Sequence, residues 1–285
     1  MPLLLGAHMS IQGGLHRAIE RGEGYRCTAL QLFTANNLQW HGKPVTEEIA
    51  ARFRAAWAAS KIGPIVAHAC YLIDLASADE RVRERSLPVL IDELRRAAAI
   101  GVPWVVLHPG CHTGAGEEAG LRRIADLANR ALDAAPLRAG ILLETTAGQG
   151  TALGCRFEQL RWLLDAIQPS GRVGVCLDTC HVFAAGYDLR TREAYDATMR
   201  EFDRLVGLHR VHAVHVNDSK GDLGSRLDRH EHIGRGKLGL DAFRCLLRDP
   251  RFAAVPKLLE TPKEDSKRKD WDRVNLVTLR RLAQA

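Results

Sequence analysis

Six histidines and carboxylates stand where apolar, strand-like stretches of this sequence come to an end. They are His68, His108, Glu144, Asp178, His215 and Glu260. Burying an unpaired imidazole or carboxylate is costly, so an apolar strand gains no stability from one at its tip. Side chains of these types bind Zn²⁺, Mn²⁺ or Fe²⁺ through nitrogen and oxygen. Their position therefore indicates a metal site.

Each of these residues also has a plain structural explanation when it is taken alone. A single histidine in an apolar run, such as His68 or His108, is more often a hydrogen-bonded core residue than a ligand. Glu144 and Glu260 fit equally well as ion pairs inside a barrel. Unrelated core residues would be scattered along the strands, whereas all six lie at C-terminal ends. The shared position favours the metal site.

Three further donors extend the set: His181, Asp228 and His230. Asp228 and His230 are two residues apart and project to the same side of an extended backbone. The alternative is a solvated turn, because the surrounding segment GSRLDRHEHIGRG is rich in charge, and His232 continues the alternation without being needed. Nine donors are too many for one ion and accommodate two or three. Such clusters activate water for phosphoryl displacement, which predicts phosphodiester cleavage.

Apolar runs of strand type alternate along the chain with amphipathic, helix-type segments. The predicted strands are residues 3–7, 29–33, 65–68, 104–108, 141–144, 173–178, 211–216 and 257–260. The predicted helices are residues 14–21, 47–60, 80–100, 117–134, 157–167, 192–206, 240–247 and 271–282, with a kink or restart near Ser86 because Pro88 follows. The alternation predicts an α/β fold, a (β/α)8 TIM barrel forming a single domain over residues 1–285. A doubly wound open sheet is the alternative.

Composition limits the class of protein. The chain has 285 residues, 46% of them hydrophobic and 26% charged, which predicts a globular protein with a large core. A formal charge of +6 permits binding to a polyanion or simply a solvated basic face. We expect a cytoplasmic monomer, since no leader-like or membrane-spanning stretch and no amphipathic surface stripe is found. The seven cysteines lack CxxC spacing and predict reduced thiols, with Cys176 and Cys180 as packing residues.

Long motifs between residues 4 and 282 are shared with a known family. They are GAHMS at 6–10, LFTANNLQW at 32–40, HPG at 108–110, ETTAGQG at 144–150, CLDTCHVFAAGYD at 176–188, HVNDSKGDLGSRLDRHEHIGRGKLG at 215–239 and LETP at 259–262. Together they resemble the endonuclease IV family of apurinic/apyrimidinic endonucleases. This resemblance implies a (β/α)8 barrel with three Zn²⁺ ions, with Mn²⁺ at one position as an alternative.

The resemblance also implies which residues hold each ion. His68, His108 and Glu144 would bind the first zinc, while Glu144 as a bridge with Asp178, His215 and Glu260 would bind the second. His181, Asp228 and His230 would bind the third. By the same analogy, hydroxide between the first two zincs attacks phosphorus, and Glu144 and Glu260 orient or deprotonate it. The third zinc stabilises the departing oxygen, and no covalent intermediate forms.

The family acts in base excision repair, so the implied partner is double-stranded DNA with abasic or 3′-blocked sites. Cleavage 5′ to the abasic site leaves a 3′-hydroxyl and a 5′-deoxyribose phosphate. A missing base lowers the energy needed to extrude the sugar. The implied DNA contacts are Gln39, Trp40 and Tyr71 near the groove, and Lys220, Arg226 and Arg229 at phosphates. For Trp40, packing under its own loop is an equal alternative.

Two positions depart from the family pattern, and two other functions compete. Leu38 stands where some relatives carry a basic or polar residue that enters DNA, and Arg235 interrupts a glycine-rich turn. The basic run at 263–269 is expected to be a solvated loop. A metal-dependent sugar isomerase or epimerase would not need the third cluster. A non-catalytic DNA-binding protein would give no reason for nine convergent donors.

Overall fold

The computed structural model describes residues 3–37, 39–40, 42–135, 138–263 and 270–284. Its strands correspond closely to the apolar runs of the sequence. They are β1 (Leu5–Ala7), β2 (Leu30–Phe33), β3 (Ile65–His68), β4 (Trp104–Leu107), β5 (Gly140–Glu144), β6 (Val173–Asp178), β7 (Val211–His215), β8 (Asp218–Ser219), β9 (His230–Glu231) and β10 (Lys257–Leu259).

Helices follow the strands and cover the outside of the sheet. They are α1 (His16–Gly24), α2 (Glu47–Ala59), α3 (Glu80–Ile100), α4 (Glu117–Ala134), α5 (Phe157–Ala166), α6 (Thr179–Ala185), α7 (Arg192–Leu205), α8 (Gly239–Leu247) and α9 (Trp271–Gln284). Several begin with a side chain that accepts a backbone N–H, such as Thr46 before α2 and Thr191 before α7. Such caps satisfy donors that a helix start leaves free.

Eight of the strands form one parallel sheet in the order β1-β10-β7-β6-β5-β4-β3-β2. A parallel bridge between His8 and Gln31 joins the two ends of that sheet, and the N–H of Met9 donates to the carbonyl of Gln31 at 2.8 Å. Gly6 makes the junction possible, because a Cβ there would lie 1.8 Å from the carbonyl oxygen of Ala29. The predicted (β/α)8 barrel is confirmed, and the open-sheet alternative is wrong.

The interior of the barrel is filled by apolar side chains below the strand tips. Because neighbouring residues of a strand face opposite ways, one residue in two points inward. The inward layer consists of Ala29, Val66, Val106, Leu142, Cys176, Ala213 and Leu258, all buried. Below it Trp104 stacks on His212 with ring centroids 4.7 Å apart, where Gly174 leaves room for the imidazole. The barrel is therefore closed beneath its mouth.

Two local features differ from the sequence prediction. Helix α3 runs unbroken through Pro88, so of the kink or restart predicted near Ser86 the restart is wrong, and the kink stays a prediction. The hydroxyl of Ser86 donates to the carbonyl of Val82 at 2.7 Å and accepts the N–H of Asp74, which ties this turn of the helix to the preceding loop. The short helix α6 and the β8–β9 hairpin were not predicted, and both carry residues of the candidate site.

The seven cysteines are free, and Cys176 and Cys180 are buried, as predicted. Among the described residues, no helix combines the length and the apolarity required to cross a membrane.

Candidate metal centre

Every strand of the barrel places a polar residue at the mouth, just above the apolar interior layer. They are His8, Gln31, His68, His108, Glu144, Asp178, His215 and Glu260. Each has the same inward parity as its neighbour in the layer below, for example Glu144 above Leu142 and Asp178 above Cys176. The six predicted tips therefore converge on one mouth.

The first group of donors joins β3, β4 and β5. Oε2 of Glu144 lies 3.0 Å from Nε2 of His108 and 3.3 Å from Nε2 of His68. Nδ1 of His68 donates to the carbonyl of Ala69 at 2.8 Å, so in the neutral ring the nitrogen that offers a lone pair to an ion is Nε2. These three residues present the donors that the sequence assigned to a first ion.

The second group uses the other oxygen of Glu144. Nδ1 of His215 lies 2.8 Å from Oε1 of Glu144, 3.0 Å from Oε2 of Glu260 and 3.8 Å from Oδ2 of Asp178. Glu144 thus contacts both groups, one through each oxygen, as the predicted bridge requires. Donor atoms of the four residues lie within 4.8 Å of one another.

The third group lies beside the second. Nε2 of His181 is 3.0 Å from Oδ1 of Asp228, and Nε2 of His230 is 3.8 Å from the same oxygen. Asp178 also belongs here, because its Oδ2 lies 3.6 Å from Nε2 of His230. The structure groups Asp178 with His181 and His230, so this carboxylate is shared between two groups, a role that the sequence assigned to Glu144 alone.

Local structure explains how Asp178 and His181 reach one site. Asp178 ends β6 and caps α6, since its Oδ1 accepts the N–H of His181 at 2.8 Å. The helical turn directs the His181 ring back towards β5, where its Nδ1 donates to the carbonyl of Thr145 at 2.8 Å. The amide of Asn217 holds the other oxygen, Oδ2, of Asp178 at 2.7 Å.

The β8–β9 hairpin brings in the third group's distant members. Ser219 pairs with His230 and Asp218 with Glu231 in antiparallel register. Asp218 is buried, and its carboxylate accepts backbone N–H groups from Ser219, Gly234, Gly236 and Leu238 at 2.8 to 3.1 Å. This carboxylate ties β8 to the turn that follows β9, and so restrains the short strand that carries His230.

The donors at the mouth fit metal ions better than they fit one another. Nε2 of His181 and Nε2 of His230 are buried without a hydrogen-bond partner among the described residues. The close approach of His181 to Asp228 lacks hydrogen-bond geometry, although the two atoms are only 3.0 Å apart. All donors are nitrogen or oxygen. A cation among them would satisfy these atoms, as expected of a site for Zn²⁺ or a similar divalent ion.

The charges of the site agree with that assignment. Burial opposes ionisation of Glu144, but His215 and His108 hold the pKa of its carboxyl well below the usual range. Burial also opposes the charge of Glu260, whose pKa His215 lowers in the same way. Burial and His181 act against each other at Asp228, with a net lowering of its pKa to about 2. These carboxylates are ionised at neutral pH, as ligation requires.

The residues predicted to contact DNA lie in three places. Tyr71 stands at the rim with 53% of its surface exposed, its ring centroid 5.3 Å from that of His68. Lys220, Arg226 and Arg229 are exposed on the hairpin and its loop. Gln39 is exposed near β2, whereas Trp40 is partly buried against the core with Arg85 over its ring at 5.8 Å. Trp40 therefore packs against the core and α3, and its contact with DNA stays a prediction.

Lys263, His232 and Arg235 make contacts outside the three donor groups. Leu38 and residues 264–269 lie outside the described residues. Lys263 donates to the carbonyl of His8 at 2.6 Å and pairs with Asp272, so this end of the basic run is anchored. The rings of His232 and Trp271 stack 3.8 Å apart, and Arg235 covers Trp271 on the surface. His232 is therefore a packing residue outside the three groups.

Two residues at the mouth were missed by the sequence prediction: His8 and Gln31. Burial lowers the pKa of His8 to about 4, so this imidazole is neutral. Gln31 is fully buried and contacts His8, His215 and Glu260. The signal was present, since His8 directly follows an apolar run and Gln31 is the single polar residue within Ala29–Phe33.

The fold and the site define a class of protein. Residues 21–281 match the family model described as xylose isomerase-like TIM barrel, so the chain is a barrel of that class. A protein named "Probable endonuclease 4" from Chloroflexus aggregans is 51% identical over 98% of this chain and 97% of its own length. Another of that name, from Geobacter sulfurreducens, is 52% identical over 98% and 94%. The chain belongs to the endonuclease IV family of nucleases.

Solved structures agree with this assignment. The crystal structure of endonuclease IV from Thermus thermophilus is 38% identical, with a TM-score of 0.87 and 98% of each chain covered. A D-tagatose 3-epimerase-like protein reaches a TM-score of 0.71 at 17% identity, a likeness that extends to the fold alone. The resemblance found in the sequence motifs is confirmed.

Proposed function

We propose that this protein is a DNA-repair endonuclease that hydrolyses the phosphodiester 5′ to an abasic site, leaving a 3′-hydroxyl and a 5′-deoxyribose phosphate. The observation that carries the proposal is the set of three donor groups linked by the shared carboxylates Glu144 and Asp178. A sugar isomerase needs one or two ions at such a mouth. The donors supplied by His181, Asp228 and His230 exceed that need.

The nine residues would hold three ions, which we assign as Zn²⁺ with Mn²⁺ as the alternative at one position. Ions of this kind acidify water and neutralise the charge that develops on a phosphoryl group. Glu144 would hold two of them in place, since its two oxygens face different groups. Asp178 would serve the second and third ions through Oδ2, which lies 3.8 Å from Nδ1 of His215 and 3.6 Å from Nε2 of His230.

Glu260 is the better placed of the two predicted catalytic carboxylates to accept a proton. Its side chain is 11% exposed at the mouth, whereas that of Glu144 is fully buried. The low pKa of Glu260 keeps the carboxylate ionised, and the amide of Gln31 holds Oε1 at 2.5 Å. The other oxygen, Oε2, lies 3.0 Å from Nδ1 of His215, so it would face the second ion and would also orient or deprotonate the attacking water.

The surface around the mouth suits a duplex with an extruded sugar. Lys220, Arg226 and Arg229 would contact phosphates, and the net charge of +6 favours their approach to DNA. Tyr71, which reaches over His68 and His108, would pack against the extruded abasic sugar at the rim. Gln39 and Trp40 would lie near the groove. The relatives' name supports DNA as the substrate.

The test combines two components. One is the zinc-loaded protein, taken from a fraction of monomer size, and the other is a duplex that carries one tetrahydrofuran abasic analogue. We expect metal-dependent incision 5′ to the analogue, abolished by chelator, and about three ions per chain by mass spectrometry. His181→Ala should lose one ion and slow incision by about 100-fold or more, because mutation of even the outer partners of metal ligands typically costs about 10–100-fold.

His209→Ala, an exposed histidine away from the mouth, is the matched control and should behave as the wild type. Binding of the duplex without incision would contradict the proposal and favour a DNA-binding module. Turnover of a ketose without incision would favour the isomerase. A His181→Ala variant that retains all three ions would remove His181 from the ligand set.

A further inference from the structure

Gln31 is a buried amide at the mouth that the proposed ligand set does not use. It lies on β2, faces the barrel interior and has no exposed surface. A buried amide is retained at little energetic cost when its donors and its acceptor are all paired. Here the partners of Gln31 include two proposed ligands, His215 and Glu260.

The carboxylate of Glu260 determines which way the amide points. An ionised carboxylate accepts hydrogen bonds and donates none, so it must face the amide nitrogen. Nε2 of Gln31 accordingly lies 2.5 Å from Oε1 of Glu260 and 2.9 Å from Nδ1 of His8. The reverse orientation would place the amide oxygen against a carboxylate. Both N–H hydrogens of the amide are therefore used, one by Glu260 and the other by His8.

The amide oxygen then determines the state of His215. Oε1 of Gln31 lies 2.8 Å from Nε2 of His215, and an amide oxygen can only accept, so this nitrogen carries a hydrogen. The opposite nitrogen, Nδ1, faces Glu144 at 2.8 Å and Glu260 at 3.0 Å, inside the second donor group. The nitrogen available to an ion is thereby fixed as Nδ1.

We infer that Gln31 is a positioning residue that holds His215 as its Nε2–H form and Glu260 in one orientation, so that both present their donors to the same ion. This inference rests on the proposed function for the identity of the ligands. Gln31 touches neither the ion nor the DNA in this role. It acts by joining two ligands, from β7 and from the end of β10, through a third strand.

Gln31→Met tests the inference, because methionine fills a similar volume without an amide. In the zinc-loaded protein, titration with a competing chelator should show at least one ion bound about 10–100-fold more weakly. The kcat for an abasic duplex should fall while KM stays unchanged, since the side chain does not meet DNA. A merely structural role would lower thermal stability and leave zinc affinity intact.

Asn129→Leu is the matched control. Its amide also makes two hydrogen bonds, to Ala166 and Gln168, in a half-buried place remote from the mouth. This variant should lose stability without any change in zinc affinity. Gln31→Met that binds zinc as tightly as the wild type does would overturn the inference.

A second measurement needs no Gln31 variant and so stands even if Gln31→Met fails to fold. ¹⁵N NMR of the zinc-loaded wild type, with His215 identified by loss of its signals in His215→Asn, should show a proton on Nε2 and none on Nδ1. A proton on Nδ1 would overturn the inference. If the wild type bound zinc but did not incise DNA, the proposed function would be wrong. The zinc affinity of Gln31→Met and the position of the His215 proton would still decide the role of Gln31.

Discussion

Glu144 and Asp178 are each in contact with two donor groups, and this sharing is what makes nine residues a single site. Glu144 uses one oxygen for His68 and His108 and the other for His215. Asp178 lies between His215 and His230. A carboxylate with two oxygens can serve two ions, whereas an imidazole serves one. Loss of a shared carboxylate should therefore affect more than one ion.

Glu260→Gln tests the proposed role of Glu260 as the proton acceptor. The substitution keeps the shape of the side chain and removes the basic oxygen, so kcat should fall by about 100-fold or more while KM for the duplex is little changed. Steady-state incision with zinc content measured on the same sample provides the readout. Full activity with normal zinc content would exclude the general-base role.

The matched control for that variant is Glu231→Gln on the neighbouring hairpin. Glu231 accepts the N–H of His232 at 2.8 Å and stands outside the three donor groups. Its replacement should leave both kcat and zinc content unchanged.

The sequence predicted which polar side chains converge on the mouth, but not the neighbouring residues that hold them there. His68, His108 and Asp178 stand at strand tips, where residue type and position can be read together. Gln31 was not predicted, because an amide is a weak metal donor and because this residue lies within its strand instead of at the tip. Its proposed role depends on contacts with His215 and Glu260, which lie 184 and 229 positions further along the chain, and no local pattern encodes such contacts.

The β8–β9 hairpin is the element on which the third donor group depends. Two-residue strands carry too little pattern to be predicted, and the charged segment around Asp228 is equally typical of a solvated turn. Asp218 holds the turn that follows β9 against β8, because its carboxylate accepts four backbone N–H groups. A Cβ at Gly236 would lie 2.4 Å from Oδ1 of Asp218, so the turn is also tightly packed.

Asp218→Asn tests this dependence. The amide nitrogen of asparagine would face backbone N–H groups, and the lost hydrogen bonds should reduce the free energy of unfolding by about 2 kcal/mol. The ion near His230 should be released at lower chelator concentration than the others. Denaturant unfolding, metal counting and hydrogen exchange at Gly234 and Gly236 give the readouts.

Asp222→Asn provides the comparison, because Asp222 is an exposed residue of the same hairpin that pairs with Lys237 at the surface. It should leave stability and metal content as they are. If Asp218→Asn retained the third ion with wild-type exchange rates, the hairpin would not depend on that carboxylate.

The whole barrel was predictable because one rule repeats in every unit. An apolar run, a polar tip and an amphipathic helix recur through the chain, and parallel strands bring all tips to the same end. The sequence did not reveal the contacts that close the barrel. Closure depends on Gly6 approaching the backbone of Ala29 and on the bridge between His8 and Gln31, both contacts between different strands.

Lys257 gives the molecule a predictable response to pH. It begins β10, is 1% exposed, and donates to the carbonyl of Phe252. Burial lowers its pKa from 10.5 to about 8. Between these values the unfolded chain binds more protons than the folded one, so stability should rise with pH in that window, by about 3 kcal/mol in total. Below pH 8 the full penalty of burying the ammonium is present.

Lys257→Met should remove that rise. The measurement is the difference in unfolding free energy between wild type and variant from pH 7 to 10, which cancels the titration of all other groups. The difference should shift steadily in favour of the wild type as pH increases. Lys237→Met, at an exposed lysine, should give a flat difference, and a flat difference for Lys257→Met as well would contradict the assigned pKa.

The apolar layer beneath the mouth and the stacked pair Trp104 and His212 below it have a consequence for the order of events. Water reaching the donor groups enters from the mouth, the same side that would receive a duplex. A seated duplex would cover that entrance. The water consumed in each turnover would then have to be stored in the site before the substrate arrives, so refilling after product release becomes a step of the cycle in its own right.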